Sequence, residues 1–93
     1  MSRTDALRLV AALGAIEMAL VRRDEVVGPL LAQAARAARG DEAERWMTTA
    51  AAIVRAPGFY GEDPAQAARR KVVQALCRAA AQAAQAAVLI GLP

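Results

Sequence analysis

Apolar residues recur along this chain at helical spacing, and nowhere do β-branched residues alternate with polar ones over a useful length. The pattern predicts an all-α fold, a small bundle of four helices at 4–25, 29–39, 42–55 and 64–90 within a single helical domain spanning residues 1–93. In the first helix Leu9, Val10, Leu13, Ile16, Leu20 and Val21 share one broad face, and Thr4 or Asp5 is placed to cap the first turn. Gly28-Pro29 is expected to break or bend the path, with Pro29 opening a second helix that buries Leu30, Leu31, Ala34, Ala35 and Ala38 and Gly40 closing it in a left-handed conformation. Asp41 and Glu44 have capping-box spacing at the head of the third helix, whose apolar face is Trp46, Ala50, Ile53 and Val54. Asp63, Pro64 and Gln66 mark the start of the fourth in the same way, and Gly91 and Pro93 are its stop signals.

The fourth helix carries most of the information. Lys71, Gln74, Arg78, Gln82 and Gln85 fall within one sector of about 80°, and nearly everything else from Val72 onward is apolar. A helix apolar over so much of its circumference has to be covered on most sides. Val73, Leu76, Ala80, Ala83, Ala87 and Ile90 alternate in steps of three and four, the spacing of a coiled-coil seam, and alanine lets helix axes approach to about 8 Å. Alanine also brings little area per residue, so a monomer has a thin margin of stability. The expectation is a homo-oligomer, most simply a two-fold dimer, joined along that Ala-rich seam. The alternative is a monomer with the long helix wrapped by the other three. The same stretch is long enough to cross a membrane, but Arg78 and three glutamines lie inside it and each costs free energy in hydrocarbon, so no membrane association is expected.

Composition narrows the class. A hydrophobic fraction of 57% with 23% charged residues excludes a disordered chain, and 26 of the 93 residues are alanine. Eleven of the twelve cations are arginine, the bacterial-like bias of a GC-rich coding sequence rather than a selection for phosphate. The net charge of +3 resolves into +2 over 1–40, −3 over 41–63 and +4 over 64–93, which suggests blocks that neutralise each other within the fold or across a subunit contact. One cysteine, Cys77, permits no intramolecular disulfide and suits a reducing cytoplasm. The N-terminal apolar run is interrupted by Asp5, Arg8 and Glu17 and does not read as a signal peptide.

Few residues offer chemistry. Glu17 is the only charge between Arg8 and Arg22, and the helical wheel sets it inside the apolar sector as a candidate buried charge. Its functional reading is a general acid or base in a bundle cavity; its structural reading is an ion pair with Arg45, Arg55 or Arg78. A carboxylate-bridged metal site of the bundle kind uses Glu-x-x-His pairs, and the chain has no histidine, so neither a metal nor any other cofactor is expected. Cys77 has no neighbouring base and reads as a structural thiol.

Arg69, Arg70 and Lys71 stand at the start of the fourth helix, where the helix dipole disfavours cations. They suit contact with a partner, or pairing with Glu62 and Asp63 or with Asp41, Glu42 and Glu44. Phe59 and Tyr60, flanked by Gly58 and Gly61, project from the one real loop as a docking tip or else plug the end of the bundle. A DNA-reading helix-turn-helix over the second and third helices would open its recognition helix with Asp41, Glu42 and Glu44 facing the phosphates, so a nucleic-acid partner is disfavoured. The function expected is a non-enzymatic helical protein–protein interaction module, binding itself and another protein. A nucleic-acid-associated regulator using the basic start of the fourth helix, and a small helical enzyme around Glu17, are the alternatives.

Overall fold

A computed structural model describes residues 1–90 and shows the expected all-helical bundle, with α1 at Arg3–Arg22, α2 at Val27–Ala37, α3 at Glu42–Val54 and α4 at Pro64–Leu89. The stop signals Gly91 and Pro93 lie outside the described residues. Each helix packs on its neighbours in the cycle α1–α2–α3–α4–α1, so α1 is diagonal to α3 and α2 to α4. The α-amino group of Met1 stands 4.0 Å from Asp41, which places the head of α1 at the α2–α3 turn. Arg23 and Glu62 meet at 3.8 Å, which places the foot of α1 beside the loop leading into α4. Thus α1 and α4 run antiparallel.

The helix ends differ from the sequence expectation in ways capping explains. Ser2, not Thr4 or Asp5, caps α1 by accepting from the Asp5 N–H at 3.1 Å, and the helix stops at Arg22 because Arg23 turns left-handed at φ 53°. Gly28-Pro29 does not break the path. It lies in the first turn of α2, where proline's missing N–H had no helical partner to lose, and Asp24 holds the approach by accepting from the Val26 N–H at 2.9 Å. Gly40 has the expected positive φ of 82°. Asp41 caps α3, and the Glu44 carboxylate reaches back to the Gly40 N–H at 3.3 Å, one residue beyond the usual box partner. Asp63 caps α4 with Pro64 in its first turn, while the Gln66 side chain accepts from Arg69 at 3.3 Å instead of closing a box.

The core is built from Leu9, Leu13, Ile16 and Leu20 of α1, Val27, Leu31 and Ala34 of α2, Met47, Ala50 and Val54 of α3, and Val73, Ala80, Ala84 and Ala87 of α4. Phe59 is the largest buried side chain and closes the end of the bundle. Trp46 and Ile53 are only half-buried, because the inner face of α3 is centred on Ala43, Met47 and Ala50, a quarter turn away. The seam expected to join two chains lies mostly inside this one: Val73 and Ala80 are fully covered and Ala87 nearly so, Leu76 and Ala83 are half-buried, and Ile90 alone is exposed. Its heptad spacing is satisfied by α1 and α3, the two helices α4 packs against.

Among the described residues α4 is the one helix long and apolar enough to cross a membrane, and only marginally, with a mean hydropathy of 1.2 over its most apolar window. Only 22% of that window is buried, so much of the helix has no partner within the chain.

Candidate functional site

Polar groups and open space meet between α1 and α4. Val10, Gly14 and Glu17 stand across a groove from Gln85, Ala81 and Arg78, with Leu13, Leu20 and Cys77 among the residues beneath. Its volume of about 250 Å³ falls short of the roughly 300 Å³ at which pockets for drug-sized ligands begin. The groove suits the edge of a docking surface better than a small-molecule site.

Glu17 is exposed, not buried. The wheel sector drawn from sequence was too wide, because it counted Val10 and Val21 as core, whereas Val10 is half-buried and Val21 is 78% exposed. With the inner face centred on Leu9, Leu13, Ile16 and Leu20, Glu17 falls outside its edge and keeps its water. Arg45 and Arg55 flank or lie on the diagonal helix and do not pair with it. Arg78 lines the same groove, yet the two form no ion pair within the chain.

The basic cluster is divided. Arg70 turns inward and its Nη1 donates to the carbonyl oxygens of Phe59 at 2.6 Å and Gly61 at 2.7 Å, so it holds the loop rather than awaiting a partner. Arg69 donates to Gln66, and Lys71 is exposed. The nearby acids are engaged elsewhere: Glu62 meets Arg23, and Asp63 accepts from the Ala65 N–H at 2.8 Å. Among the described residues, no ion pair joins the acidic block at 41–63 to a cation of α4, so the expected neutralisation within the fold does not occur.

Phe59 is 1% exposed and is not a docking tip. Tyr60 packs edge-on against it, with ring centroids 5.0 Å apart, and is half-buried. Burial first, and then the charges of Glu25 and Asp24, push the Tyr60 hydroxyl above the usual phenol range. Burial likewise pushes the Cys77 thiol up to about 11, which keeps it protonated at neutral pH and unsuited to nucleophilic work. Among the described residues no three Cys, Asp or Glu side chains gather into a metal-binding group.

The feature that sequence reasoning missed is on the outside. Leu7, Met18, Val21, Val26, Val72, Leu89 and Ile90 are the exposed large hydrophobics among the described residues, and every one lies on α1, on the turn after it, or at α4 and its cap. None lies on α2 or α3. The signal was available: Leu7, Ala11, Gly14, Met18 and Val21 step by four, three, four and three, and all are exposed. On α4, Val72, Ala75, Ala79, Gln82, Ala86 and Leu89 keep the same rhythm, all exposed except half-buried Ala79. Comparison with known protein families, with curated proteins and with solved structures finds no match.

Proposed function

We propose that the chain is a non-enzymatic helical protein–protein interaction module, working in the cytoplasm and docking through its α1–α4 side. The observation that carries this reading is the segregation of exposed large hydrophobics among the described residues: all seven lie on α1, on the turn after it, or at α4 and its cap, and none lies within α2 or α3. Scattered surface apolar residues need no explanation, whereas a contiguous apolar side rimmed by polar groups marks a binding surface. Glu17, Gln74, Arg78 and Gln85 line the groove between the two helices and supply polar groups beside the apolar residues. A catalytic reading lacks a second group, since the carboxylate of Glu17 is solvated and the thiol of Cys77 is held protonated. A nucleic-acid reading loses Arg70, the middle cation of its cluster, to two backbone carbonyls.

The test compares two charge insertions in the native cell. Met18→Glu with Val72→Glu places charge among the exposed apolar residues of α1 and α4, and Gln33→Glu with Thr49→Glu places it on α2 and α3. The wild type and the second variant are expected to elute in an assembly heavier than the 9.7 kDa chain, and the first variant at the monomer mass. Equal behaviour of the two variants counts against the reading.

A further inference from the structure

Resting on that reading, we infer that the partner presents an acidic amphipathic helix, which lies in the groove between α1 and α4 with its apolar edge on the floor and its carboxylates toward α4.

Charge decides the sign of the partner. α1 with its following turn carries four arginines against four acids, residues 27–63 carry four arginines against five acids, and α4 carries four cations and no acid. All of the chain's positive surplus therefore stands on α4. Arg70 is engaged by the carbonyl oxygens of Phe59 and Gly61, and Arg69 by Gln66. Lys71 and Arg78 remain, both exposed and in no ion pair among the described residues. They are one heptad apart and Gln85 follows one heptad later, so the three share a stripe of the helix. Arg78 and Gln85 of that stripe form the α4 edge of the groove together with Gln74. A partner seated there meets uncompensated positive charge, and carboxylates one heptad apart on a helix would face Lys71 and Arg78 in turn.

Shape decides its form. The groove extends from Val10 to Leu20 on α1 and from Gln74 to Gln85 on α4. At 1.5 Å per residue that is about 15 Å, close to three turns of an α-helix. Its apolar floor, with Leu13, Leu20 and Cys77, lies between polar walls. An amphipathic helix laid in such a trough buries a stripe of anchors at steps of three and four and keeps its charged flanks at the rims. Glu17 on the α1 wall is exposed and unpaired among the described residues. It calls for a neutral or cationic residue on the second flank, and so sets which way the bound helix runs.

Other occupants match less of this. An anionic lipid surface suits the charge of α4, but α1 and α4 carry no aromatic residue to insert, and Val72 and Leu89 stand about 26 Å apart along the helix. A second copy would have to offer Asp41, Glu42 and Glu44 at the head of α3, and among the described residues no exposed large hydrophobic lies on α3 to fill the floor.

Fluorescence anisotropy on the purified chain tests the inference with a labelled peptide of three heptads, leucine at the first and fourth positions, glutamate at the fifth, and alanine and glutamine elsewhere. A second peptide carries lysine in place of each glutamate. The acidic peptide is expected to bind at least about ten-fold more tightly than the basic one at low salt, with the preference shrinking as salt rises. Lys71→Glu with Arg78→Glu is expected to reverse the preference, while Arg39→Glu with Arg45→Glu, the same change of net charge at the α2–α3 turn and on α3, leaves its sign unchanged. All four residues are exposed, and urea midpoints matching the wild type verify that both variants fold. Equal binding of the two peptides, undetectable binding included, overturns the inference, as does a preference that survives Lys71→Glu with Arg78→Glu. Two further outcomes overturn it: a chain that ignores both peptides and floats with phosphatidylglycerol vesicles, which assigns the face to lipid, and one that sediments at twice 9.7 kDa and is dispersed by Lys71→Glu with Arg78→Glu, which assigns it to a second copy. If the peptides fail while Met18→Glu with Val72→Glu still disperses the assembly in cells, the interaction-module reading stands with a partner of other chemistry. If that variant too leaves the assembly intact, both fall.

Discussion

Arg70 donates from Nη1 to the carbonyl oxygen of Phe59 at 2.6 Å, and so the second turn of α4 fastens the loop that carries the largest buried side chain of the molecule. The same nitrogen reaches Gly61 at 2.7 Å. Hydrogen bonds from a charged donor at a part-buried site contribute about 1.5–3 kcal/mol. Arg70→Ala is therefore expected to lower the unfolding free energy by about that amount in urea titration. Arg69→Ala, which gives up only an exposed contact to Gln66, should change it by no more than about 0.5 kcal/mol. Equal losses from the two would mean that the loop does not depend on Arg70.

Phe59 follows from the same relationship. A fully buried phenylalanine replaced by alanine loses about 3–5 kcal/mol, through lost transfer energy and the cavity left behind. That is a large part of the roughly 5–15 kcal/mol that holds a small domain together. Phe59→Ala should bring the thermal midpoint down far more than Tyr60→Ala, since Tyr60 is only half-buried. A docking tip would give the opposite result: near-normal melting with loss of assembly.

How much of this was legible in the sequence depends on residue size. Four helices, the Asp41 and Asp63 caps and the Gly40 terminator followed from local chemistry, which acts over three or four residues and leaves a mark at fixed spacing. The inner faces were read from the large residues, and there the reading drifted. Trp46, Ile53 and Val21 were counted as core, while Ala43, Ala84 and Ala19, which are buried, were passed over. In a chain this rich in alanine, burial on a wheel is set by which face its neighbours cover, and that is a tertiary fact. The seam of α4 was visible as a heptad, but the wheel has no means of saying whether the helix across it belongs to the same chain or another. The part played by Arg70 was not legible at all, because its partners are backbone carbonyls nine and eleven residues away.

Cys77 makes stability depend on pH in a direction that can be worked out. Its folded pKa is raised from 9.0 to about 11, because burial disfavours the thiolate. Below pH 9 the thiol is protonated in both states, and its preference for the folded chain is fully present. As pH rises from 9 through 11 the unfolded chain loses its proton first, so that contribution to stability fades. Urea midpoints of the wild type should fall across this window, and those of Cys77→Ala should fall less. Alkylation of the native protein should be slow at pH 8 and accelerate toward pH 11.

The close approach of α4 to its neighbours makes a last prediction. Ala80 is fully covered at the centre of the inner face, and with Ala84 and Ala87 it leaves no side-chain volume between α4 and the helices it packs on. Ala80→Leu adds three carbons to a space that has none to spare, and such overpacking costs about 1–3 kcal/mol. Ala52→Leu, on the exposed outer side of α3, meets nothing and should stay within about 0.5 kcal/mol of wild type. Unfolding measured in urea at one protein concentration separates the two. If Ala80 faced a second chain instead of α1 and α3, its leucine variant would lose assembly while the dilute subunit melted normally. Loss of subunit stability itself, independent of dilution, is the result the intrachain packing demands.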